Sequence, residues 1–246
     1  MPQLVAPAIV CAVRHHGEHG AVVRALTPEA GLVAGYVRGG RSRTMRPVLI
    51  PGNRVKADYR ARTVEQLASL SVELEHSLAP ILAEPLPAAA IEWACALTAA
   101  SLPEENAYPV LYEALSAVLD AIAAAPAARG WAVGLVRYEL LLLGELGFGL
   151  DLSGCVVTGA GPESLVYVSP RTGAAVSAQG ASGHEAKLLV LPSFLRDRVM
   201  EADWDAILAG FALTRHFLER SILTDRRADV LASRDRLIER LKRAVA

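Results

Sequence analysis

Little in this chain invites covalent chemistry. Its three cysteines, Cys11, Cys95 and Cys155, are far apart and odd in number, which argues against a disulfide framework and suits free thiols in a reducing compartment. Aromatic residues make up 5% of the chain against 52% hydrophobic residues overall, so the core must be built mainly from Ala, Leu and Val. No apolar run approaches the roughly 18 residues that a membrane helix needs. The opening MPQLVAPAIV has no basic segment ahead of its apolar residues, so no secretory leader is expected. These absences lead to the expectation of a soluble, cytoplasmic protein. The chain also lacks a P-loop, GxSxG, HExxH or paired-cysteine motif. The glycines between Gly31 and Gly40 lack the strand–GxGxxG–helix setting of a dinucleotide site. With no nucleophile–base pairing in view, an enzyme is the least expected class and a binding protein the most expected.

What the chain does have is charge unevenly placed. The net charge is −1, but residues 1–62 carry ten Lys or Arg against Glu18, Glu29 and Asp58. Residues 81–150 carry only Arg129 and Arg137 against eight acids. A basic module is followed by an acidic one, and it is local field that steers a polyanion. The basic module peaks in YVRGGRSRTMR, where Arg38, Arg41, Arg43 and Arg46 fall within nine residues with no acid among them. Arginine forks match phosphate oxygens, glycines allow close backbone approach, and Tyr36 leads in as an aromatic. A solvated, flexible hairpin loop is the plain alternative for such a charge run.

Residues 1–79 read as β. Short apolar, β-branched runs at 8–14, 21–26, 32–37, 47–50 and 54–59 alternate with turns, among them Thr27-Pro28-Glu29-Ala30-Gly31 and Pro51-Gly52-Asn53, and 64–75 closes the set. About five short strands in this length predict a five-stranded barrel of the OB type, a nucleic-acid-binding domain whose surface combines aromatics, basic residues and loops. Tyr36 and Tyr59 are its candidate stacking platforms, and Lys56 a further phosphate contact.

Residues 80–246 read as an α-helical domain, so the fold class is multi-domain α+β. Helical spacing covers 87–100, 108–124, the strongly apolar 131–146, 203–223 and 234–245, with Gly147 as a left-handed stop. Between them, 151–180 is rich in Gly and Ser and predicts a β-hairpin, strands at 165–168 and 174–176 joined by Pro170-Arg171-Thr172-Gly173. His15, His16 and His19 beside Glu18 have the look of a metal motif. In a turn between strands they diverge, which favours a solvated turn. Asp203 and Asp205 suit the capping of a helix start.

The ordered series GExxxxVRxLTxExGL, the glycine-bearing basic loop, YELLLLGELGFGLDLSGC, YVSPRTGxAV and KLLxLPSF resembles the bacterial recombination mediator family RecO over most of the chain. No single motif decides this; the order does. The resemblance implies an N-terminal OB fold, a helical domain and often a small zinc-ribbon-like module. It implies binding of single- and double-stranded DNA, annealing of complementary strands, contact with the acidic C-terminal tail of single-stranded-DNA-binding protein, and joint action with RecR to load RecA. A structural zinc needs four thiolate or imidazole ligands. Here Cys155 stands alone, with Thr158 three residues on, no later cysteine, and His184 isolated. The hairpin is therefore expected to be a degenerate zinc-ribbon-like knuckle without metal, held by packing of Leu152, Val156, Leu165 and Tyr167. Arg137, in the most apolar helix, has two open roles: a snorkelling side chain or ion pair with Glu139 or Glu113, or a cation beside a groove for the acidic, Phe-ended tail. The C-terminal cations Arg226, Arg227, Arg234, Arg240, Lys242 and Arg243 extend the DNA track or, more simply, solvate a helix. An OB-fold RNA-binding protein and an adaptor for an acidic protein partner are the rival functions.

Overall fold

A computed structural model describes residues 3–63, 66–124, 127–197, 201–224 and 230–245 of the chain. The chain forms two compact units, the first holding the described residues up to Ala124 with most of the last helix, the second those from Ala127 to Thr224.

In the first unit, β1 (Gln3–His16), β2 (Gly20–Thr27), β3 (Gly31–Val37), β4 (Arg54–Arg60) and β5 (Ala68–His76) close into a barrel in the order β1-β2-β3-β5-β4. One long strand makes closure possible. The first half of β1 pairs with β4, from Gln3↔Arg60 to Ile9↔Arg54, and its second half pairs with β2, from Ile9↔Leu26 to His16↔Gly20. A register shift between Val10 and Ala12 bends the strand where it changes partners, the usual work of a bulge. The seam is a short parallel pairing, Gly35↔Ala68 and Tyr36↔Ser69. Inward positions alternate along each strand, and Ala8, Val10, Val23, Ala25, Val37, Val55, Ala57, Tyr59 and Leu70 form the core. Small aliphatic side chains fill most of the narrow barrel, with Tyr59 the one aromatic in the cluster.

Two strand expectations change. The run 47–50 is a turn, not a strand. Pro47 removes a ladder donor, and Leu49, 6% exposed, plugs the core with Met45 and Val48 packed beside it. The final strand, expected from 64, starts in the description at Ala68; Val64 lies outside the described residues.

Two helices pack with the barrel. α1 (Pro85–Ser101) begins with Pro85 in its first turn and buries residues on most sides, including Ile91, Trp93, Ala94 and Leu97. α2 (Pro109–Ala124) shows the cleaner stripe Leu111, Leu115, Val118, Leu119, Ile122. Arginines of the barrel tie them down. Arg24 pairs with Glu104 at 3.0 Å and donates to the Ala99 carbonyl, and Arg54 reaches Asp120 at 2.8 Å and the Ser116 hydroxyl at 2.7 Å.

The second unit is built on α3 (Ala128–Glu145). Gly147 ends it with φ of 84°. Its N–H bonds the Gly144 carbonyl at 3.0 Å and that of Phe148 bonds Leu143 at 2.8 Å, the paired bonds of a Schellman stop. A three-stranded sheet follows: β6 (Leu165–Val168) pairs with β7 (Ala175–Ser177) as the hairpin predicted, and also with β8 (Leu189–Val190), which was not expected. Ser177 caps the short α4 (Ala178–Ala181), and α5 (Ser193–Arg196) follows β8. In α6 (Trp204–Ser221), Asp203 accepts from the Ala206 N–H at 2.8 Å, the capping role expected of it. The knuckle is not held by apolar packing in the way expected. Leu165 is buried, but Val156 is 65% exposed; backbone bonds such as Val156 N–H to Ala175 carbonyl at 3.0 Å hold it instead.

The last helix, α7 (Leu231–Val245), rejoins the first unit. Leu231, Arg234, Leu237 and Leu241 lie on its buried side, with Arg234 stacked 5.7 Å over the Trp93 ring, Arg236 paired with Glu92 at 2.5 Å and Arg240 bonded to the Pro85 carbonyl. Arg234 and Arg240 thus have partners within the first unit, whereas Lys242 and Arg243 are exposed. Arg226 and Arg227 lie outside the described residues.

Candidate nucleic-acid interface

The arginine loop is ordered by its own hydroxyls. The Ser42 carbonyl accepts from Arg46 N–H at 3.1 Å, and its hydroxyl accepts from Met45 N–H at 3.2 Å and meets Thr44 at 3.0 Å. The result is a helical turn with Met45, Val48 and Leu49 toward the barrel and Arg38, Arg41, Arg43 and Arg46 exposed on the other side. Asn53, fully buried, locks the far end by donating to the Pro47 and Val48 carbonyls at 2.9 and 3.1 Å and accepting from Leu78 N–H at 2.9 Å. The hydroxyls of Ser42 and Thr44 thus serve the turn. Among the described residues no ion pair holds any of the four arginines.

The loop does not stand alone. Arg41 donates from its guanidinium to the Glu18 carbonyl at 3.2 Å and from its backbone to the His19 carbonyl at 3.2 Å. The β1–β2 turn is therefore part of the same surface. Tyr36 lies on the outer face of the barrel, half-buried, its ring edge-on to His16 at 5.9 Å. Gly20 makes room for it: a Cβ there would fall 2.2 Å from the Tyr36 hydroxyl. The register Arg14↔Val22↔Tyr36 puts an exposed arginine in the same row across three strands. Arg14 and His16 are the members that the sequence reading missed. The signal was the hairpin HHGEHG itself, weighed as a metal motif and not as the neighbour of the basic loop. His15, His16 and His19 are exposed, and His19 stands 3.8 Å from Glu18. Among the described residues no group of His, Cys, Asp and Glu is arranged to hold a metal ion.

Two expected members fall elsewhere. Tyr59 is 3% exposed, its hydroxyl donating to the Val33 carbonyl at 3.3 Å and its ring in the barrel core. A ring packed on both faces cannot stack on a base, so its role as a platform is withdrawn. Burial raises its hydroxyl above the ordinary phenol range. Lys56 is exposed, but its partner across the ladder is Glu73, and Asp58 follows on the same face; it does not join the loop. Of the other cations of the basic module, Arg24 and Arg54 hold helices and Arg60 is bonded to Asp58 at 2.6 Å, lowering that carboxyl.

The second unit holds a separate cavity. The Schellman stop turns the chain back along α3. Arg137, Leu140, Leu141, Gly144 and Glu145 of the helix then face Gly149, Leu150, Leu152 and Leu195 around about 410 Å³. Arg137 lines it from a fixed position, donating to the Phe194 carbonyl at 3.0 Å with its guanidinium 5.9 Å from the Phe194 ring centre. An apolar cleft with one oriented cation can take a carboxylate beside an aromatic. The buried Glu139 accepts from the Thr214 hydroxyl.

Comparison with known proteins settles the family. Residues 1–78 match the family model for the recombination protein O N terminal, and residues 85–228 the one for its C terminal. The chain belongs to the RecO family. It is 45% identical over 239 residues to the DNA repair protein RecO of Rhodospirillum centenum, covering 96% of this chain and 94% of that protein. Its identity to the DNA repair protein RecO of Phenylobacterium zucineum is 41%, over 96% of each chain. With that of Gluconacetobacter diazotrophicus it is 39%, over 95% and 93%. The RecO C-terminal match begins at α1, although α1 and α2 fold with the barrel. No described helix of this RecO chain is long and apolar enough to cross a membrane.

Proposed function

We propose that this RecO-family protein is a non-enzymatic recombination mediator. It binds single- and double-stranded DNA, anneals complementary strands, takes up the acidic tail of single-stranded-DNA-binding protein, and acts with RecR to help load RecA in the cytoplasm, at the nucleoid. Residues 1–79 supply the nucleic-acid-binding domain and the helical remainder the partner contacts. The observation that carries the reading is the ordered loop. Four exposed arginines stand on a plugged barrel end, beside Tyr36 and the β1–β2 turn, on a stretch from Ala30 to Ala57 that contains no acid.

The physical route is short. Arginines placed on phosphates position a strand without reading its bases. Each neutralised phosphate releases counterions, so affinity falls as salt rises. Tyr36 adds a face for one base, a stack of about 1–3 kcal/mol. Annealing follows because repulsion between two phosphate backbones opposes pairing, and a basic surface holding both removes it. The Arg137 cavity supports uptake of the tail: its leucines receive the aromatic and its cation the carboxylate. No zinc is proposed to take part.

Titration of labelled single-stranded DNA, duplex DNA and RNA at two salt concentrations tests the reading. Salt-dependent binding to both DNA forms is expected. Binding to RNA with DNA ignored would move the protein to the RNA-binding class, and binding to neither would favour an adaptor for an acidic protein.

A further inference from the structure

The knuckle at 155–181 departs from the zinc module implied by the family resemblance, and the geometry shows what stands in its place. The turn after Cys155 closes on itself: Cys155 N–H bonds the Ala160 carbonyl at 2.8 Å and Gly159 N–H bonds the Cys155 carbonyl at 2.9 Å. This brings Thr158 N–H to the Cys155 sulfur at 3.4 Å. The second turn arrives from β7. Ser177 points its N–H at the same sulfur at 3.2 Å and its hydroxyl at 3.3 Å, and that hydroxyl also meets Thr158 Oγ1 at 3.3 Å. Gly180 N–H donates to the Ser177 hydroxyl at 3.1 Å, and a Cβ built on Gly180 would lie 3.0 Å from the Cys155 sulfur.

Four positions therefore converge on one point in two pairs of the same spacing, 155 with 158 and 177 with 180. That is the layout of a structural zinc site, two turns each offering residues three apart. The residues present do not fit the ion. One thiol, two hydroxyls and a glycine cannot supply four soft or imidazole ligands. Instead, N–H and O–H groups occupy the acceptor capacity of the sulfur, which is 4% exposed.

We infer that the knuckle is a four-cornered metal-type site in which hydrogen bonds to the single Cys155 sulfur replace the ion. The protein folds this module without metal, and thiols at 158, 177 and 180 restore a zinc site. The inference is independent of DNA or tail binding. It also differs from packing as the source of cohesion: beside the backbone bond from Val156 N–H to the Ala175 carbonyl, the two turns meet through polar contacts centred on the Cys155 sulfur.

Two experiments test it on the full chain. Thr158→Cys/Ser177→Cys/Gly180→Cys is titrated with Co²⁺ and then Zn²⁺, alongside the unaltered protein. One Co²⁺ per chain with the strong absorption of tetrahedral thiolate coordination, displaced by Zn²⁺ and seen only in the variant, is expected. A variant that takes up neither ion, folded or not, overturns the inference, as does one stoichiometric zinc in the unaltered protein. The second experiment leaves the cluster's size alone. Ser177→Ala removes a donor to the sulfur and should lower the melting temperature by about 2–4 °C, with the loss unchanged by EDTA. An unaltered melting temperature, or one that EDTA shifts in the unaltered protein, contradicts it.

Discussion

The arginine loop and the Arg137 cavity use the same side chain in opposite ways. On the barrel, four arginines stand exposed on one loop, and among the described residues no acid pairs with any of them. In the second unit, one arginine is fixed by a carbonyl and a ring at the wall of an apolar cleft of about 410 Å³. Exposed charge suits a long, repetitive polyanion whose contacts are interchangeable. Depth with one cation suits a short ligand having one end to recognise. The number of charges is less informative than whether each is already engaged: of the ten cations in residues 1–62, Arg24, Arg54 and Arg60 are in ion pairs.

The largest effect that separates the two regions should come from Arg38→Gln/Arg41→Gln/Arg43→Gln/Arg46→Gln. On single-stranded DNA, each phosphate contact contributes about 0.7 to the slope of log affinity against log salt. The variant should lose most of its affinity at moderate salt while binding the acidic, Phe-ended peptide as before. Next, Arg137→Ala should weaken that peptide about tenfold or more, the worth of a charge-assisted hydrogen bond, with bare-DNA affinity nearly unchanged in the same fluorescence titration. Loss of DNA binding in this variant would mean that the two sites are not separate.

Tyr36→Ala is the third. It should cost single-stranded DNA about 1–3 kcal/mol and duplex less, since stacked bases offer no free face. Tyr59→Phe should leave DNA binding alone and lower stability by about 1 kcal/mol through the lost bond to Val33. A reversed pattern would return Tyr59 to the interface.

The smallest effect contrasts two buried cysteines. Burial pushes the Cys11 thiol up to about 12, only partly offset by a backbone bond and Arg24. Burial also raises Cys155, but the hydrogen bonds from Ser177 and Thr158 outweigh it and bring the thiol down to about 6. A depressed folded pKa stabilises above the unfolded value near 9 and loses that contribution as pH falls through 6. The stability of the unaltered protein relative to Cys155→Ser, by urea unfolding, should therefore rise from pH 6 to 9. For Cys11 the sign is opposite: stability present below pH 9 is lost as pH climbs toward 12. A flat or falling Cys155 difference would show that the sulfur is not held as a thiolate.

The barrel was legible because strand alternation and turn residues agree over most of 1–60. It failed at 47–50, where an apolar run looks the same whether it pairs in a sheet or plugs its end. Tyr59 could have been placed by parity: Val55 and Ala57 are the inward residues of β4, and Tyr59 follows them by two. Tyr36, between inward Gly35 and Val37, faces out by the same rule. Lys56 is outward too, yet its carboxylate neighbour comes from β5, and pairing between strands distant in sequence is not written in local pattern. The same limit hid the union of the β1–β2 turn with the arginine loop. In the second unit the Gly147 stop was readable because a helix end is local, whereas the second half of the knuckle lies 22 residues from Cys155, joined to it only by the fold.

The central claim is that the arginine loop is the phosphate track. The most direct measurement is the salt dependence of single-stranded DNA affinity for the unaltered protein and the quadruple arginine variant, compared on one plot. A slope shallower by about 3 in the variant, with strand annealing lost and tail-peptide affinity kept, is the predicted result. Equal slopes and normal annealing would contradict it and place the track on another face of the protein.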